Sequence, residues 1–468
     1  MQLPAITAAK ELGYTVAVAD GSAAVPGAKT ADIFEAIDLK EQQLLLDYAQ
    51  RLNKEGQVAA VFTAATDFSA NVAYLNEQLG LKGHSYEAAL NATNKVRMRK
   101  TLVNAGVNCP NFTFYRAGDP LEPLLAAINK WGNHFNVVVK PVDNMGARGV
   151  MQVTAPQQLA AALTNALAYS PSGEAIIEEF IDGFEFSIDS LIFDDEHIIC
   201  GIADRHIYFP PYFIEMGHTM PSNFPAESLK LVLNEFKKAC RALGLSWGAA
   251  KGDMKLNSKG RAVVGEIAAR LSGGYMSGFT YPLSSGVNLT KETLRLALGE
   301  TNLNLTPTQQ LVCAERAFIS IPGEVISIEE LDNPRQTAGF QQLFMRAEVG
   351  KRLVFPRNNV EKAGNVLCTA DSYDKAISRA DKVRKAIFIR LKAGDDETKE
   401  FLQSDEGLSS AFVDGLDYNG LSQDEVAVYF KKITGGDINS LITDDNFNKA
   451  LTKGSLQGAV WYFDSFKS

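Results

Sequence analysis

The sequence lacks any apolar run approaching the roughly 18 to 20 residues that a membrane-spanning helix needs. Its first residues, MQLPAITAAKELGY, contain neither the basic stretch nor the apolar core of a signal peptide. The 468 residues are 46% hydrophobic and 22% charged, which is the composition of ordinary globular proteins. These features predict a cytoplasmic protein of roughly two to four domains that does not bind membranes.

Cysteine and histidine are scarce. The five cysteines are scattered without a CxxC pair, and the five histidines show no HxxxH spacing. This predicts free thiols in a reducing compartment and argues against a metal centre built from histidine and cysteine. Basic residues are also outnumbered, and the net charge of −9 argues against a general nucleic-acid binder.

The acidity is concentrated at the end of the chain. From Gly394 onward there are 14 acidic and 6 basic residues, a net charge of −8. The same segment contains apolar and aromatic residues, including Phe412, Phe430 and Trp461, in which a disordered acidic tail would be poor. We therefore predict a small helical appendage over 392–468 that packs on the main body or on a second subunit and has no catalytic role.

The first ninety residues alternate between the patterns of helices and strands. We predict helices over Pro4–Leu12, Leu39–Leu52 and Asn71–Leu79, and strands over Tyr14–Asp20 and Val58–Ala64. Such alternation favours a parallel sheet with helices on both faces. The chain opens inside a helix where this kind of domain normally opens with a strand, so either the first strand is missing or the true start lies upstream.

From about residue 91 the pattern changes to strands joined by short turns, which is typical of α+β structure. Predicted strands cover Val137–Val142 and the two halves of Glu174–Phe193, and Lys230–Leu243 predicts an amphipathic helix. A third region over 311–391 is rich in predicted strands and contains a helix over Tyr373–Phe388.

Four segments of this part carry residue types suited to binding a nucleotide. The first is NKVRMRK, residues 94–100, and the second is VVVKPVDNMGARGV, residues 137–150. In the second, Lys140 lies on a strand and Gly146 and Gly149 lie in the loop that follows. Glycines let backbone N–H groups approach anionic oxygens, and lysine supplies a positive charge, as phosphate binding requires.

The third segment is EEFIDGFEFS, residues 178–187. Alternation along the strand turns Glu185 inward, where its carboxylate could accept hydrogen bonds from two ribose hydroxyls. The backbone of Phe180 and Ile181 could pair with the edge of an adenine.

The fourth segment, residues 252–274, contains Asp253 and Glu266 on two strands that pair across a turn. Two facing carboxylates between apolar residues are unfavourable unless a cation joins them, and Mg²⁺ is the natural partner for carboxylates and phosphate oxygens. Arg270 and the Gly273–Gly274 pair follow directly, which suggests another anion site.

Taken together, the four segments resemble the ATP-grasp superfamily in order and spacing, over most of the chain up to Leu391. The resemblance implies an α/β plus α+β fold: a Rossmann-like domain over 1–90 with its first strand apparently missing, a two-lobed ATP-grasp domain over 91–300, and a small C-terminal α+β domain over 301–391. Within the superfamily, PPYFIEMGHTMPS, residues 210–222, and EIAARLSGG are similar to L-amino-acid (dipeptide) ligases.

The resemblance also implies roles for individual residues. The residues expected to bind ATP, through its phosphates, adenine and ribose, are Lys95, Lys140, Met145, Gly146, Ala147, Arg148, Gly149, Glu178, Glu179, Phe180, Ile181 and Glu185. The residues expected to hold Mg²⁺ or Mn²⁺ are Asp253 and Glu266. The residues expected at the reacting groups are Arg270, which would face the transferring phosphate and the carboxylate substrate, and Glu215 and His218, which would line the acceptor side.

The implied activity is an ATP- and Mg²⁺-dependent ligase that activates a small carboxylate as an acyl phosphate and couples it to an amine, and a homodimer is compatible with this expectation. One departure concerns the metal: Ala268 stands where many relatives have Asn, so one magnesium ligand is absent or supplied by water. A biotin-carboxylase-like enzyme would have a more Gly-rich loop than DNMGARG and an Asn–Pro–Arg run in place of EIAAR. A purine-pathway ligase of the same fold and a non-catalytic ATP-binding protein remain open alternatives.

The segment DGLDYNGLSQDE, residues 414–425, is superficially similar to a calcium-binding loop. With Asn419 and Gly420 at loop positions five and six, position one would be Gly415 and position twelve Val426, neither of which offers a side-chain oxygen. We therefore predict no calcium site here.

Overall fold

The computed structural model describes residues 2–66, 68–132, 135–404 and 417–467. The chain forms two compact units. The first contains Met1–Met145, Val153–Arg205 and Met220–Leu311, and the second contains Gly146–Gln152, His206–Thr219 and Val312–Ser468. Among the described helices, none has the length and apolar character required to span a bilayer.

The architecture combines α/β and α+β parts, as the sequence predicts. The α-helices are α1 Leu3–Glu11, α2 Pro26–Thr30, α3 Gln42–Glu55, α4 Ser69–Leu79, α5 Tyr86–Thr93, α6 Lys95–Asn104, α7 Leu121–Ile128, α8 Leu159–Ala168, α9 Ala226–Leu243, α10 Tyr281–Ser285, α11 Leu289–Ala297, α12 Tyr373–Lys385, α13 Asp396–Gln403, α14 Gln423–Thr434 and α15 Asp445–Lys467. The strands are β1 Ala17–Asp20, β2 Ile33–Ala36, β3 Phe112–Arg116, β4 Val137–Pro141, β5 Met151–Val153, β6 Glu174–Glu179, β7 Phe184–Phe193, β8 Glu196–Tyr208, β9 Ile214–Met220, β10 Gly248–Leu256, β11 Ala262–Ala268, β12 Val312–Phe318, β13 Gly323–Glu330, β14 Phe340–Met345, β15 Arg352–Leu353, β16 Gly364–Ala370 and β17 Ile387–Leu391.

The N-terminal part of the first unit has fewer strands than predicted. Helices α1, α3 and α4 form where the sequence pattern places them, and β1 pairs with β2 in parallel. The predicted strand Val58–Ala64 is wrong, because this segment forms no ladder with another strand among the described residues. The side-chain amide of Asn76 instead bonds both the N–H and the carbonyl of Val61, at 3.2 and 3.1 Å.

The rest of the first unit consists of antiparallel strands backed by helices. Strand β6 pairs with β3 on one side and β4 on the other, and a second set of strands has the order β11-β10-β7-β8. Helix α9 covers β10 and β11 with a buried apolar face. Gly252 on β10 is needed for this packing, because a Cβ there would lie 2.5 Å from the ring of Phe236 on α9.

The second unit contains the strand orders β9-β12-β16-β14 and β15-β13-β17. The predicted helix Tyr373–Phe388 is too long: α12 ends at Lys385, and Phe388 lies on β17, where it pairs with Glu329 of β13. Ile387, Phe388 and Ile389 are all buried. Three consecutive buried residues fit a strand covered on both faces better than a helix with one apolar stripe.

Helices α13 to α15 pack within the second unit. Phe430 of α14 and Phe447 of α15 are fully buried with their ring centroids 5.8 Å apart, in a cluster that also contains Phe388 of β17. The indole N–H of Trp461 donates to the Lys392 carbonyl at 2.8 Å. The start of the segment 414–425 lies outside the described residues, as does Phe412. Within its described part, Asp417 accepts hydrogen bonds from two backbone N–H groups and from the Ser455 hydroxyl.

Candidate functional site

The two predicted metal carboxylates face each other on the hairpin of β10 and β11. Asp253 is the direct cross-strand partner of Glu266, and the register shifts immediately after Asp253. Gly265 permits this irregularity, because a Cβ at that position would lie 2.8 Å from the Asp253 carbonyl. A β-bulge of this kind re-aims side chains locally and is common beside active sites.

The two carboxylate oxygens of Asp253 differ in their contacts. Its Oδ2 contacts Lys251, and Arg205 lies 3.2 Å away. Its Oδ1 is buried and has no hydrogen-bond partner among the described residues. Buried carboxylate oxygens normally have partners, so an unpartnered one beside a second carboxylate is an arrangement that fits a cation ligand.

Glu266 lies in a strongly positive environment. The Nζ of Lys95 is 4.0 Å from its Oε1 and also donates to the Asn144 carbonyl at 2.7 Å. Burial alone would raise the pKa of Glu266, but Lys95, Lys251 and Arg270 lower it to about 2. Glu266 is therefore ionised at neutral pH, as a metal ligand must be.

Glu178 is the centre of a buried ion-pair network. Its two oxygens accept from Arg99 Nε and Lys140 Nζ, each at 2.7 Å, and the side chains of Glu178 and Arg99 are only 2% and 1% exposed. Burial alone would raise the pKa of this carboxylate, but Arg99 and Lys140 lower it to about 2. The Glu178 side chain thus fixes Lys140 in place, while Lys140 itself stays 22% exposed.

The predicted adenine hinge is partly occupied by bonds within the protein. The N–H of Glu179 donates to the Asn111 carbonyl at 2.9 Å, and the N–H of Phe180 donates to the Asn136 carbonyl at 3.1 Å. An adenine edge at this hinge would therefore have to use neighbouring backbone groups. The Ile181 carbonyl accepts from Lys255 Nζ at 2.8 Å.

The same lysine joins the hinge to the predicted ribose carboxylate. Lys255 Nζ lies 2.8 Å from Glu185 Oε1 and 5.2 Å from the centroid of the Phe180 ring. Glu185 also lies 3.4 Å from Arg205, its cross-strand partner on β8. Burial would raise the pKa of Glu185, but Lys255 and Arg205 lower it, so this carboxylate is charged and available as an acceptor.

Arg270 is followed by a loop that a buried acid holds in place. Arg270 is 8% exposed, and its Nη1 donates to the Leu271 carbonyl at 2.8 Å. The fully buried Asp189 accepts from the backbone N–H of Ser272 at 2.8 Å and from its hydroxyl at 2.5 Å. Burial raises the pKa of Asp189 to about 6. These bonds fix the start of the Ser272–Gly274 loop beside Arg270.

The predicted phosphate loop is divided between the units, with Met145 in the first and Gly146–Gly149 in the second. Gly146, Ala147 and Gly149 all have positive φ values, of 68°, 60° and 70°. Alanine is strained in this region whereas glycine is not, so Ala147 is the unusual residue of the loop.

The second unit also contains Glu215 and His218, which sequence analysis assigned to the acceptor side. His218 Nδ1 lies 3.2 Å from Glu315 Oε2 and 3.7 Å from Glu215 Oε1. Gly217 lets β9 approach β12 here, since a Cβ would lie 2.2 Å from the Glu315 carbonyl. Although burial would lower the pKa of His218, the hydrogen bonds to both carboxylates raise it.

The ligand atoms of Glu215, His218 and Glu315 lie within 4.8 Å of one another, a spacing that a metal ion could bridge. The raised pKa of His218 favours its protonated form, which places a cation between the two carboxylates. Exposure separates the three residues: the side chains of His218 and Glu315 are 1% and 2% exposed, whereas that of Glu215 is 18% exposed. Of the three, Glu215 is the residue that a small molecule can reach.

Five charged residues of these clusters were not predicted from the sequence: Arg99, Arg205, Lys251, Lys255 and Glu315. Two of them had a local signal, because Lys251 and Lys255 flank Asp253 at alternating positions of one strand and so share its face. The others approach the site residues only through pairing of distant segments.

Two family models match parts of this chain. Residues 133–278 match the ATP-grasp domain, and residues 317–392 match the L-amino acid ligase C-terminal domain 2. An uncharacterized protein of Sinorhizobium fredii, y4rH, is 26% identical over 345 residues, which are 73% of this chain and 70% of that protein.

A D-alanine–D-alanine ligase of Gloeobacter violaceus is 30% identical over 199 residues, which are 41% of this chain and 64% of that ligase. The chain thus spans less than two thirds of the length of this relative. The fold is similar to the crystal structure of an L-amino acid ligase from Bacillus licheniformis, with a TM-score of 0.71, 22% identity, and coverage of 83% of this chain and 95% of that one.

The fold and the matched domain are those of an ATP-grasp protein. The chain contains an ATP-grasp domain, and its residues 317–392 match the C-terminal domain described for L-amino acid ligases.

Proposed function

We propose that this protein uses ATP to activate a small carboxylic acid, an amino acid or a similar molecule, as an acyl phosphate, and then couples it to an amine to form an amide. The observation that carries the proposal is the cluster in the first unit. Lys95, Lys140 and Arg270 stabilise the charge of Glu266, which faces Asp253 across the hairpin, and all five residues lie within one compact unit. Fixed positive charges beside a metal-binding carboxylate pair suit phosphoryl transfer, which depends on positioning and charge neutralisation.

The residues present fit a divalent cation. Glu266 is ionised, and Asp253 offers a buried oxygen that has no partner within the described ranges, so these two would hold Mg²⁺ or Mn²⁺. Such an ion, when bound, neutralises the charge of the phosphate oxygens. Ala268 lies two residues beyond Glu266 and supplies no ligand, which leaves part of the coordination to water or nucleotide oxygens.

In the first chemical step, lysine and arginine side chains position the reacting groups and neutralise their negative charge. Lys95 and Lys140 are assigned to the phosphates, and Arg270 to the substrate carboxylate. One carboxylate oxygen attacks the γ-phosphorus of ATP, the bond from that phosphorus to the bridging oxygen breaks, and ADP leaves. The ion pair with Glu178 holds the Lys140 side chain in place. Because Glu178 is also paired with Arg99, its single negative charge does not fully neutralise the positive charge of Lys140.

In the second step the amine nitrogen attacks the acyl carbon, the carbon–oxygen bond to phosphate breaks, inorganic phosphate leaves, and the nitrogen loses its proton. We assign recognition of the amine-bearing substrate to Glu215, since its carboxylate is accessible and an ammonium group is its natural partner. His218, at 1% exposure, would act through Glu215 by holding its carboxylate.

The nucleoside end of ATP is assigned to the hinge and to Glu185. The ionised Glu185 would accept from the ribose hydroxyls, and Lys255 would hold Glu185 at the required distance from the hinge. The match to the ATP-grasp domain supports the reaction class, and the C-terminal domain match supports an amino acid as one substrate.

The function is tested by screening the standard amino acids, singly and in pairs, with MgATP. We expect release of ADP and phosphate that depends on an amino acid, and a dipeptide or related amide detected by mass spectrometry. The Lys140→Met variant should weaken ATP binding by about 10- to 100-fold, since it removes one charge-assisted contact of roughly 1.5 to 3 kcal/mol. Tight ATP binding without turnover for any pair would instead indicate a non-catalytic ATP-binding protein.

We further propose that α13 to α15 stabilise the second unit and take no part in catalysis. Phe430→Ala removes a fully buried ring from the cluster that these helices form. We expect the free energy of unfolding to fall by about 3 to 5 kcal/mol, while kcat and the KM for ATP stay unchanged at temperatures where the variant is folded. The exposed Val428→Ala on the same helix is the matched control, with little expected change in stability. Lost turnover in a folded Phe430→Ala protein would contradict this assignment.

A further inference from the structure

The loop Gly146–Gln152 makes its packing contacts within the second unit. The Gly146 carbonyl accepts a hydrogen bond from the Asn359 N–H at 3.0 Å, and the Gln152 N–H donates to the Pro211 carbonyl at 2.9 Å. The Val360 side chain lies 3.8 Å from where a Cβ on Gly146 would be. The loop assigned to the phosphates is therefore held by a turn of the C-terminal domain.

The same turn holds Glu215. The side-chain oxygen Oδ1 of Asn359 accepts the backbone N–H of Glu215 at 2.8 Å, and Lys362 Nζ donates to the Glu215 carbonyl at 2.7 Å. Asn359 thus contacts the loop through its backbone and Glu215 through its side chain. A displacement of the loop that moves Asn359 must also disturb the bond to Glu215.

Hydrogen bonds brace this turn from inside and from Arg346. Arg346 Nη1 donates to the carbonyls of Asn359 and Val360, at 3.1 and 3.2 Å. Inside the turn, the buried Asn358 accepts from the Val360 N–H at 2.9 Å and donates to Glu361 at 2.7 Å. A segment cross-braced in this way moves as one piece, because its parts cannot be displaced singly without breaking hydrogen bonds.

We propose that Asn359 is a positioning residue that links the phosphate loop to Glu215, so that nucleotide binding at the loop also orders the acceptor carboxylate. The inference rests on the proposed function, because it gives the loop and Glu215 their roles. The link has a chemical purpose: an acyl phosphate formed before the amine-binding group is in place would be lost to water. Couplings of this kind between sites are typically about 5- to 150-fold.

The link is tested by hydrogen exchange of the full-length protein with and without the ATP analogue AMPPNP and Mg²⁺. Two peptides are followed, one covering the loop 146–152 and one containing Glu215, whose N–H donates a hydrogen bond to the Asn359 side chain. In the wild type we expect AMPPNP to slow exchange in both. In Asn359→Leu, which keeps the backbone N–H for Gly146 but lacks the side-chain oxygen, only the loop should be protected. Asn359→Asp retains an acceptor oxygen and should restore protection at Glu215.

The outcomes separate the inference from the function on which it rests. If AMPPNP protects the wild-type loop but not Glu215, or if it protects both in Asn359→Leu, the link through Asn359 is overturned and the nucleotide site stands. If AMPPNP leaves the wild-type loop unprotected, the loop does not bind phosphates, and both assignments fall. Failure of Asn359→Asp to restore what Asn359→Leu loses would show general damage to the turn and would also overturn the proposal.

Discussion

Glu266→Gln is expected to abolish ligase turnover at saturating ATP, with a fall in kcat of about 100- to 1,000-fold, while leaving the fold intact. The substitution removes one negative charge from the carboxylate pair and leaves the shape of the side chain nearly unchanged. Glu266 is only partly buried, and its nearest described cation, Lys95, is 4.0 Å away and has a second partner in the Asn144 carbonyl. Because Glu266 is partly exposed, we expect the loss of its charge to lower stability without unfolding the protein, whereas the proposed metal site depends on that charge.

The measurement is ADP release together with a thermal melting curve for each protein. Glu324→Gln is the control, because it removes a surface carboxylate that pairs with Lys392 at 3.0 Å in the second unit. Excess chelator should abolish wild-type activity in the same assay. Full turnover of Glu266→Gln, or full wild-type activity without free divalent metal, would exclude the proposed role of the carboxylate pair.

Glu178→Gln is expected to lower the free energy of unfolding by about 3 to 5 kcal/mol. The substitution leaves Arg99 buried at 1% exposure without a full counter-charge, and it weakens the hold on Lys140. Removing one partner of a buried ion pair is costly because the remaining charge stays desolvated. Glu174→Gln, on the same strand, is the matched control: its partner Arg116 is 66% exposed, so we expect a change of no more than about 1 kcal/mol.

Chemical denaturation measures both variants, and the pH dependence adds an independent check. Since folding lowers the pKa of Glu178 from 4.5 to about 2, its contribution to stability is present above pH 4.5 and is lost as the pH falls towards 2. Glu178→Gln should therefore show a shallower loss of stability than the wild type across that interval. Equal stability of the two Gln variants, or equal acid slopes of wild type and Glu178→Gln, would contradict the buried ion-pair network.

Several elements followed from local sequence patterns. Helical periodicity predicted α1, α3, α4 and α9, and alternation predicted the facing strands of Asp253 and Glu266, because both patterns report which face of one element is apolar. The predicted strand over Val58–Ala64 was wrong because local composition does not provide a pairing partner. The segment Val58–Ala64 has strand-like composition, but a strand also needs a neighbouring backbone, and Asn76 takes the polar groups of Val61 instead.

The residues of the candidate site also fall into those that could be predicted from the sequence and those that could not. Lys95, Lys140, Glu185 and Glu266 could be selected from the sequence because each lies in a short motif with a defined chemistry. Their ion-pair partners could not: Arg99 meets Glu178 from 79 residues away, and Glu315 meets His218 from almost a hundred residues away. Sequence patterns carry no information on which distant segments become neighbours in the folded chain.

By itself, the sequence determined the class of fold, the order of the segments proposed to bind nucleotide and the carboxylate pair, because these depend on periodicity and on the chemistry of adjacent residues. Only the tertiary structure decided how each carboxylate is paired and how exposed it is. It showed that Glu178 is bound by two cations, that one oxygen of Asp253 has no partner in the described part of the chain, and that Glu215 is more accessible than His218. The physical reason is that charge pairing and desolvation depend on distances across the folded chain, and folding brings together groups that the sequence keeps far apart.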